Sequence, residues 1–508
     1  MTRLRKRQHR SPLPQVDLGK ATAESDQRLP DYYYENDYFR AATDLSDRRI
    51  LFVGDKGTGK SAVLEMVARK ISGPKMIRLG ADDIGIGLLS NAKLVEGLGT
   101  VDLGLIYKAI WDYLILISIV KAEFGTTRPS WWSFSVPKDE KDVYELLAKT
   151  GELEQGSFKL GRAFITILQK LQLKLSASSP DGTEISVEGR LADTIQRDVG
   201  TLITEIGILK HIGALRRELP TRCQHSRFFV LIDDLDDGWN NTPTQRECLK
   251  ALVKSLIRLS HFTNVRFLVA MRRVIFEEVG FDDPDKVRDH IAMMTWGKDD
   301  LREIALTRLS VCLKRGRDDL LLNVFPENVQ GMDSFNFMHA FLPQHPRAYI
   351  QFLQCALNSA VKDAQPFFRA EDYQVARRQY SEWFSEDLSF EYKTVFPGLK
   401  KVLLKMMGCK KEMPVQEMRR RMVEILGWAL DEEKDYELEW VRQQINQSGT
   451  EAEDADDLCR RLISIGVIGV KMGMRESAEF FPANLPKQFS DRMWFKISPY
   501  LEPFLMAT

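Results

Sequence analysis

Apolar positions along this chain gather into short runs separated by stretches with helical spacing. Residues 50–53, 228–232 and 265–271 are the densest runs, the last interrupted only by Arg266. Each has the length and composition of a strand buried on both faces of a parallel sheet. Residues 76–79 read as a further strand. Between and after these runs, apolar residues recur at helical spacing over 61–71, 105–124, 192–219, 245–259, 296–315 and 348–361. This alternation predicts an α/β fold, with a parallel sheet covered by helices on both faces. Residues 158–175 and 184–187, around Pro180-Asp181-Gly182-Thr183, read as a strand pair within an insertion at about 125–222.

The C-terminal part changes character. Helices are expected over 370–388, 399–407, 415–430, 435–445 and 455–465, with strands at 466–473 and 494–497. The order predicts a core over 31–295, a helical lid over 296–370 and a mostly helical, winged-helix-like C-terminal domain over 371–508. Residues 1–30 are polar, with Pro12, Pro14 and Pro30, and read as a disordered arm made basic by Arg3, Arg5, Lys6, Arg7 and Arg10. The aromatic lead-in Tyr32, Tyr33, Tyr34, Tyr38 and Phe39 suits packing against the core, with stacking on a purine as the alternative.

The turn after the first strand carries the sharpest chemistry. Gly54-Asp55-Lys56-Gly57-Thr58-Gly59-Lys60-Ser61-Ala62 is a phosphate-binding P-loop pattern between a strand and a helix. Its glycines let successive N–H groups face a phosphate, and Lys60 is placed to neutralise the β- and γ-phosphates of ATP. The Ser61 hydroxyl is placed to hold Mg²⁺. The helix from Ser61 turns its N-terminus toward the anion.

A second stretch completes the pattern. The run 228–232 ends in Asp233-Asp234-Leu235-Asp236-Asp237, which sets carboxylates at the C-terminal end of a central strand. Asp233 stands where a second-strand Asp completes the Mg²⁺ shell. Asp234 stands where many ATPases carry the Glu that activates water, and strand alternation would aim it away from Asp233. Asp236 and Asp237 also suit an acidic N-cap. The run 265–271 ends in Arg272-Arg273, and Arg272 is placed to sense a γ-phosphate, or else to form a surface ion pair.

Composition excludes more than it selects. The chain has 508 residues, 44% of them hydrophobic, and Lys plus Arg equals Asp plus Glu at 72 each, so no global field announces a nucleic-acid partner. Its six cysteines form no CxxC pair, which argues against a zinc site and fits a reducing cytoplasm. The most apolar stretch, 113–120, is too short to span a bilayer and reads as buried helix. One local basic stretch (Lys400, Lys401, Lys405, Lys410, Lys411, Arg419, Arg420, Arg421) is either a phosphate-backbone surface or a charged helix face.

The order P-loop, strand ending Asp233-Asp234-Leu235-Asp236-Asp237, then strand ending Arg272 resembles the STAND and related AAA+-type ATPases. These include the NACHT, NB-ARC and KAP groups and a bacterial set partly associated with phage defence. Asp233, Asp236 and Asp237 match the extended second motif of NACHT proteins, which have a small residue where this chain has Asp234. Pro346-Arg347 ahead of a lid helix resembles the second sensor of AAA+ proteins, whose Arg touches the nucleotide; a plain helix start is the alternative. The resemblance implies a cytoplasmic, Mg²⁺-dependent ATP-binding and slowly hydrolysing switch or motor, able to self-associate and to act through a separate effector protein. A DNA-stimulated ATPase using the basic stretch and an ATP-locked scaffold are the other readings.

Overall fold

The computed structural model describes residues 11–20, 22–80, 103–124, 225–281, 283–393, 395–445, 450–480, 485–486 and 488–506. The chain divides into two compact units, Thr22–Thr295 and a second made of Met1–Ala21 with Trp296–Thr508. The strand pair expected in 158–187, the helix expected at 192–219 and the basic residues of 1–10 lie outside the described residues.

The first unit is built on a five-stranded parallel sheet in the order β2-β3-β4-β1-β5. Its main elements are α1 (Asp37–Thr43), β1 (Leu51–Gly54), α2 (Lys60–Lys70), β2 (Lys75–Leu79), α3 (Leu103–Phe124), β3 (Phe228–Ile232), α4 (Pro243–Leu259), β4 (Val265–Arg272), α5 (Arg273–Val279) and β5 (Ile291–Met293), with two helices of four and five residues besides. The three apolar runs became β1, β3 and β4. Every residue of β1 and β3 is buried, as the lack of alternation requires for strands covered on both sides. Leu51 pairs with Val269 on one side and Ile291 on the other, and Phe228 pairs with Lys75 and Val265. The α/β core expected from the sequence is therefore present, with β5 an additional edge strand of three residues.

Helices α3 and α4 pack on one another beside the sheet. Trp111 is buried and its Nε1–H donates to the Cys248 carbonyl at 3.1 Å. Residues 113–120 are buried helix, and among the described residues no helix is long and apolar enough to cross a membrane. Helix α4 begins with a capping box: Thr242 accepts from the Gln245 N–H, and Pro243 occupies the first turn.

The aromatic lead-in is packed. Tyr32 and Phe39 are buried, Tyr33 meets Phe39 edge-on at 5.4 Å, and the Tyr38 hydroxyl donates to the carbonyls of Met293 and Thr295. Arg266, the polar residue inside β4, is buried beneath this segment. Its guanidinium donates to the carbonyls of Ala41 (2.9 Å), Ala42 (3.4 Å) and Arg49 (2.6 Å), capping the last turn of α1. Burial lowers its pKa to about 10.

The second unit contains α6 (Lys298–Leu313), α7 (Arg317–Asn323), α8 (Ser334–Phe341), α9 (Pro346–Lys362), α10 (Ala370–Glu391), α11 (Leu399–Lys405), β6 (Glu412–Pro414), α12 (Val415–Asp431), α13 (Glu451–Ser464), β7 (Ile468–Lys471) and β8 (Trp494–Ile497). The last three strands form an antiparallel sheet in the order β6-β8-β7, packed on α12 and α13. Strand β6 was not expected; with β7 and β8 it completes a helical and winged-helix-like end. Residues 11–20, expected within a disordered arm, are instead strapped to the helices of this unit. Leu13 and Leu18 are buried, Leu18 N–H donates to Gln354 Oε1 at 2.7 Å, and the buried Arg308 donates to the Leu18 carbonyl at 2.7 Å. Two apolar anchors and a hydrogen-bonded backbone overcome the polar composition of the segment.

Arg266→Met removes the charged donor from three carbonyl groups while keeping much of the side-chain volume. It is expected to lower stability by about 2–3 kcal/mol, measurable as a lower thermal midpoint, and a midpoint equal to wild type would show that solvent replaces those bonds.

Candidate phosphate-binding site

The parallel order of β1, β3 and β4 brings their C-terminal ends together, and all the candidate groups of the first unit sit there. The loop after β1 turns through Gly57 and Gly59 with φ of 87° and 92°, the left-handed region where a Cβ is costly. At Gly54 the limit is space: a Cβ would lie 2.7 Å from Thr58 Oγ1 and 3.2 Å from the Met294 carbonyl. Thr58 is buried and its hydroxyl donates to the Asp55 carbonyl at 2.8 Å, which ties the loop to itself. Helix α2 starts at Lys60 directly after Gly59, so its free N–H groups face the loop's concave side.

Lys60 Nζ donates to the carbonyls of Gly54 and Asp55, both at 2.9 Å. Burial lowers its pKa to about 8, the positive charge of Arg272 adds to this, and Asp233, Asp236 and Asp55 oppose it. Asp233 shows the opposite effect. Burial raises its carboxyl to about 6, against hydrogen bonds from the Asp234 N–H and the Ser61 hydroxyl. Its own N–H donates to the Leu79 carbonyl at 3.1 Å, so the backbone is still held by the sheet at this point.

The pairing of Ser61 with a desolvated carboxylate fits Mg²⁺. That ion needs one or two protein oxygens and takes the rest of its shell from water and phosphate. Among the described residues no group of three or more His, Cys, Asp or Glu is suited to hold a metal.

The acids beyond Asp233 depart from the expected geometry. β3 ends at Ile232, and Asp234 adopts φ 58°, so a turn rather than strand alternation directs its exposed side chain. Asp tolerates this region better than most residues, and such backbone strain gathers at functional sites. Partial desolvation and the neighbouring Asp236 raise its pKa. Asp236 pairs with Arg272 at 2.5 Å, and Arg273 reaches Asp55 at 3.5 Å. Trp239 Nε1–H donates to Glu278 at 2.7 Å and pins the acidic loop to α5. The sequence offered no periodic signal for these cross-loop pairs; only the Arg272-Arg273 doublet hinted at them.

Arg347 belongs to the second unit, in the first turn of α9, where His345 caps the helix by accepting from the Ala348 N–H. The basic stretch lies there too, and most of it is neutralised. Lys400 pairs with Glu386 (2.6 Å), Lys401 with Asp435 (2.5 Å), Lys410 with Glu417 (2.8 Å), Lys411 with Glu502 (3.2 Å) and Arg421 with Glu424 (3.0 Å). Lys405 lies over the Trp428 ring. Arg419 makes two 2.8 Å hydrogen bonds to the buried Asp456, whereas Arg420 is exposed. These pairings suit the charged helix face, one of the two readings of this stretch.

Comparison with known proteins adds the following. Residues 299–389 match a family model described as a FunZ-associated C-terminal helical domain, which spans α6 to α10. The chain is 21% identical over 468 residues to an Escherichia coli (strain K12) protein described as a transposon gamma-delta 80.3 kDa protein, covering 89% of this chain and 61% of that protein. It therefore spans about three fifths of that relative's length. Among solved structures, the Aeropyrum pernix ORC1 protein in complex with DNA aligns at 12% identity over 94% of this chain and 93% of that chain, with a TM-score of 0.39. The Aeropyrum pernix ORC2 protein in its ADPNP–ADP complexes gives 12% identity, 94% and 96% coverage and a TM-score of 0.37. Drosophila ORC bound to DNA gives 11% identity, 98% and 90% coverage and a TM-score of 0.28. At such scores these likenesses carry no argument about ligand or partner.

Two predictions follow from the charges. The folded protein keeps a proton on Asp233 up to about pH 6, above the ordinary value of 3.8, so this residue's contribution falls as pH rises through that interval. Asp233→Asn is therefore expected to stabilise the ligand-free protein at pH 7.5 by about 1–2 kcal/mol. The gain should shrink at pH 4.5; a thermal midpoint that drops at pH 7.5 would contradict the desolvation argument. In the second unit, Arg419→Glu strands the buried Asp456 and should cost about 3 kcal/mol, while Arg420→Glu should leave the thermal midpoint unchanged.

Proposed function

We propose that this chain binds and slowly hydrolyses ATP with Mg²⁺, as a switch or motor of the STAND/AAA+ kind. One observation carries the reading: the P-loop, with Lys60 drawn over its carbonyls, and the desolvated Asp233 bonded to Ser61 meet at one edge of a parallel sheet. A backbone cradle with a single ammonium suits a polyphosphate, and the half-buried carboxylate suits the cation that accompanies it. Lys60 neutralises the β- and γ-phosphates, the α2 N-terminus and loop N–H groups bind the phosphate oxygens, and Ser61 with Asp233 holds the ion. Mg²⁺ when bound supplies charge neutralisation. Asp234 positions and deprotonates the attacking water, its shorter side chain accounting for slow turnover, and Arg272 senses the γ-phosphate; a like role for Arg347 rests on the motif resemblance alone. The five described cysteines are buried thiols, which suits a reducing cytoplasm.

Self-association, a separate effector protein and a place in phage defence rest on the resemblance of the motifs alone. DNA stimulation is the second reading, motivated by the transposon description of the 80.3 kDa relative. The internal pairing of the basic stretch favours a charged helix face over a phosphate-backbone surface.

The test joins binding to turnover. ATP with Mg²⁺ at a hundredfold excess over its Kd should stabilise the wild type by about 2.7 kcal/mol. Lys60→Ala should abolish this stabilisation and keep the fold. Asp234→Asn should retain the stabilisation and lose ATP hydrolysis, measured with and without DNA. ATP affinity should also weaken as pH rises through about 8, where Lys60 sheds its proton. Equal stabilisation of wild type and Lys60→Ala would sink the reading.

A further inference from the structure

Arg272 occupies a position with two claims on it. It is the last residue of β4, the strand lying between β1 and β3, so its backbone stands between the P-loop and the acidic loop. Its guanidinium is paired with Asp236 at 2.5 Å, with the two side chains 25% and 33% exposed. The pair thus sits at the rim of the site, neither solvated freely nor sealed inside.

The acidic partner is held still. Asp237 N–H donates to the Asp234 carbonyl (3.0 Å) and Trp239 N–H to the Asp236 carbonyl (3.2 Å), which folds the loop into tight turns. Trp239 fastens the loop to Glu278 on α5, and Gln245 on α4 donates to the Gly238 carbonyl at 2.8 Å. Asp236 is therefore a fixed anchor at the end of a braced loop, while Arg272 carries a long side chain able to turn about its own Cα. Both charges act on Lys60, which places the pair within electrostatic reach of the phosphate cradle.

We propose that Asp236 is a positioning residue that stores the Arg272 guanidinium at the rim of the site and makes its release depend on a γ-phosphate. The inference rests on the ATP reading of the same site. Moving a guanidinium from a carboxylate to a phosphate exchanges one charge-assisted bond for another, so the balance turns on the anion offered. A triphosphate presents terminal oxygens where a diphosphate ends, and only the former competes for the arginine. A ligand shifts such a two-position equilibrium only by its differential affinity for the two positions. The strength of the Asp236 bond then sets how far ATP is discriminated from ADP.

The experiment measures ATP and ADP dissociation constants by calorimetry for wild type, Asp236→Asn, Asp236→Glu, Arg272→Ala and the double variant Asp236→Asn/Arg272→Ala. Asp236→Asn should raise the affinity ratio of ATP over ADP by about fivefold to tenfold. Asp236→Glu should return it toward wild type, and in the Arg272→Ala background the Asn change should leave the ratio unaltered. Removing a negative charge would by itself strengthen both nucleotides alike and would do so without Arg272; that result overturns the proposal. So does a lower turnover in Asp236→Asn with an unchanged ratio, which would assign Asp236 to the chemistry. Absence of ATP binding by the wild type would overturn the ATP reading and this inference together, whereas intact binding with a fixed ratio overturns the inference alone.

Discussion

Burying a carboxylate at the end of a strand is costly, and the first unit is arranged around that cost. β3 lies inside the sheet with all five residues covered, and the sheet's hydrogen bonding continues through the Asp233 N–H to Leu79. The Asp233 backbone is thereby held in register with β2. Its carboxylate keeps two donors, the Asp234 N–H and the Ser61 hydroxyl, and its proton affinity rises nonetheless. Across the same edge, Lys60 is desolvated in the opposite sense. Desolvation is the main cause in both, and for Lys60 it outweighs the nearby Asp233, Asp236 and Asp55. In the ATP reading proposed above, a polyphosphate with its divalent ion would bring charge to both at once, and the energy withheld from the ligand-free fold would become binding energy. Sites selected for function commonly sit below the stability their fold could reach.

The readable part of this unit was the part governed by burial alone. β1, β3 and β4 are uninterrupted or nearly uninterrupted apolar runs, and a sheet covered on both sides leaves them little choice. The P-loop was legible because phosphate binding demands glycine at fixed places, Gly54 for space and Gly59 for a left-handed turn. Asp234 is directed by a turn rather than by two-residue alternation, which applies only while the strand lasts, and β3 stops at Ile232. β5 and β6 escaped notice at three residues each, below the length at which periodicity can be distinguished. Residues 11–20 looked like a free arm because only two of their side chains, Leu13 and Leu18, provide the anchoring, and the partners that hold the backbone, Gln354 and Arg308, lie some 290 to 340 positions away.

Charge was the least legible property, and the reason is general. A chain with equal numbers of acids and bases can place its positive residues in local clusters and still leave no positive surface, provided the acids return in three dimensions. Here they do. Lys401 meets Asp435, Lys411 meets Glu502, and Arg419 meets Asp456 across distances of 34 to 91 residues along the chain. The acids opening α13 argue the same way from the other side. Asp456 is buried and accepts from Arg419 and from the Phe489 N–H, so one of these acids belongs to the internal structure. A basic stretch read along the chain counts donors; an electrostatic surface counts only those left over. By the same logic the Arg272–Asp236 pair carries more information than either residue's place in a motif, since it is the competition between their partners that a ligand must decide.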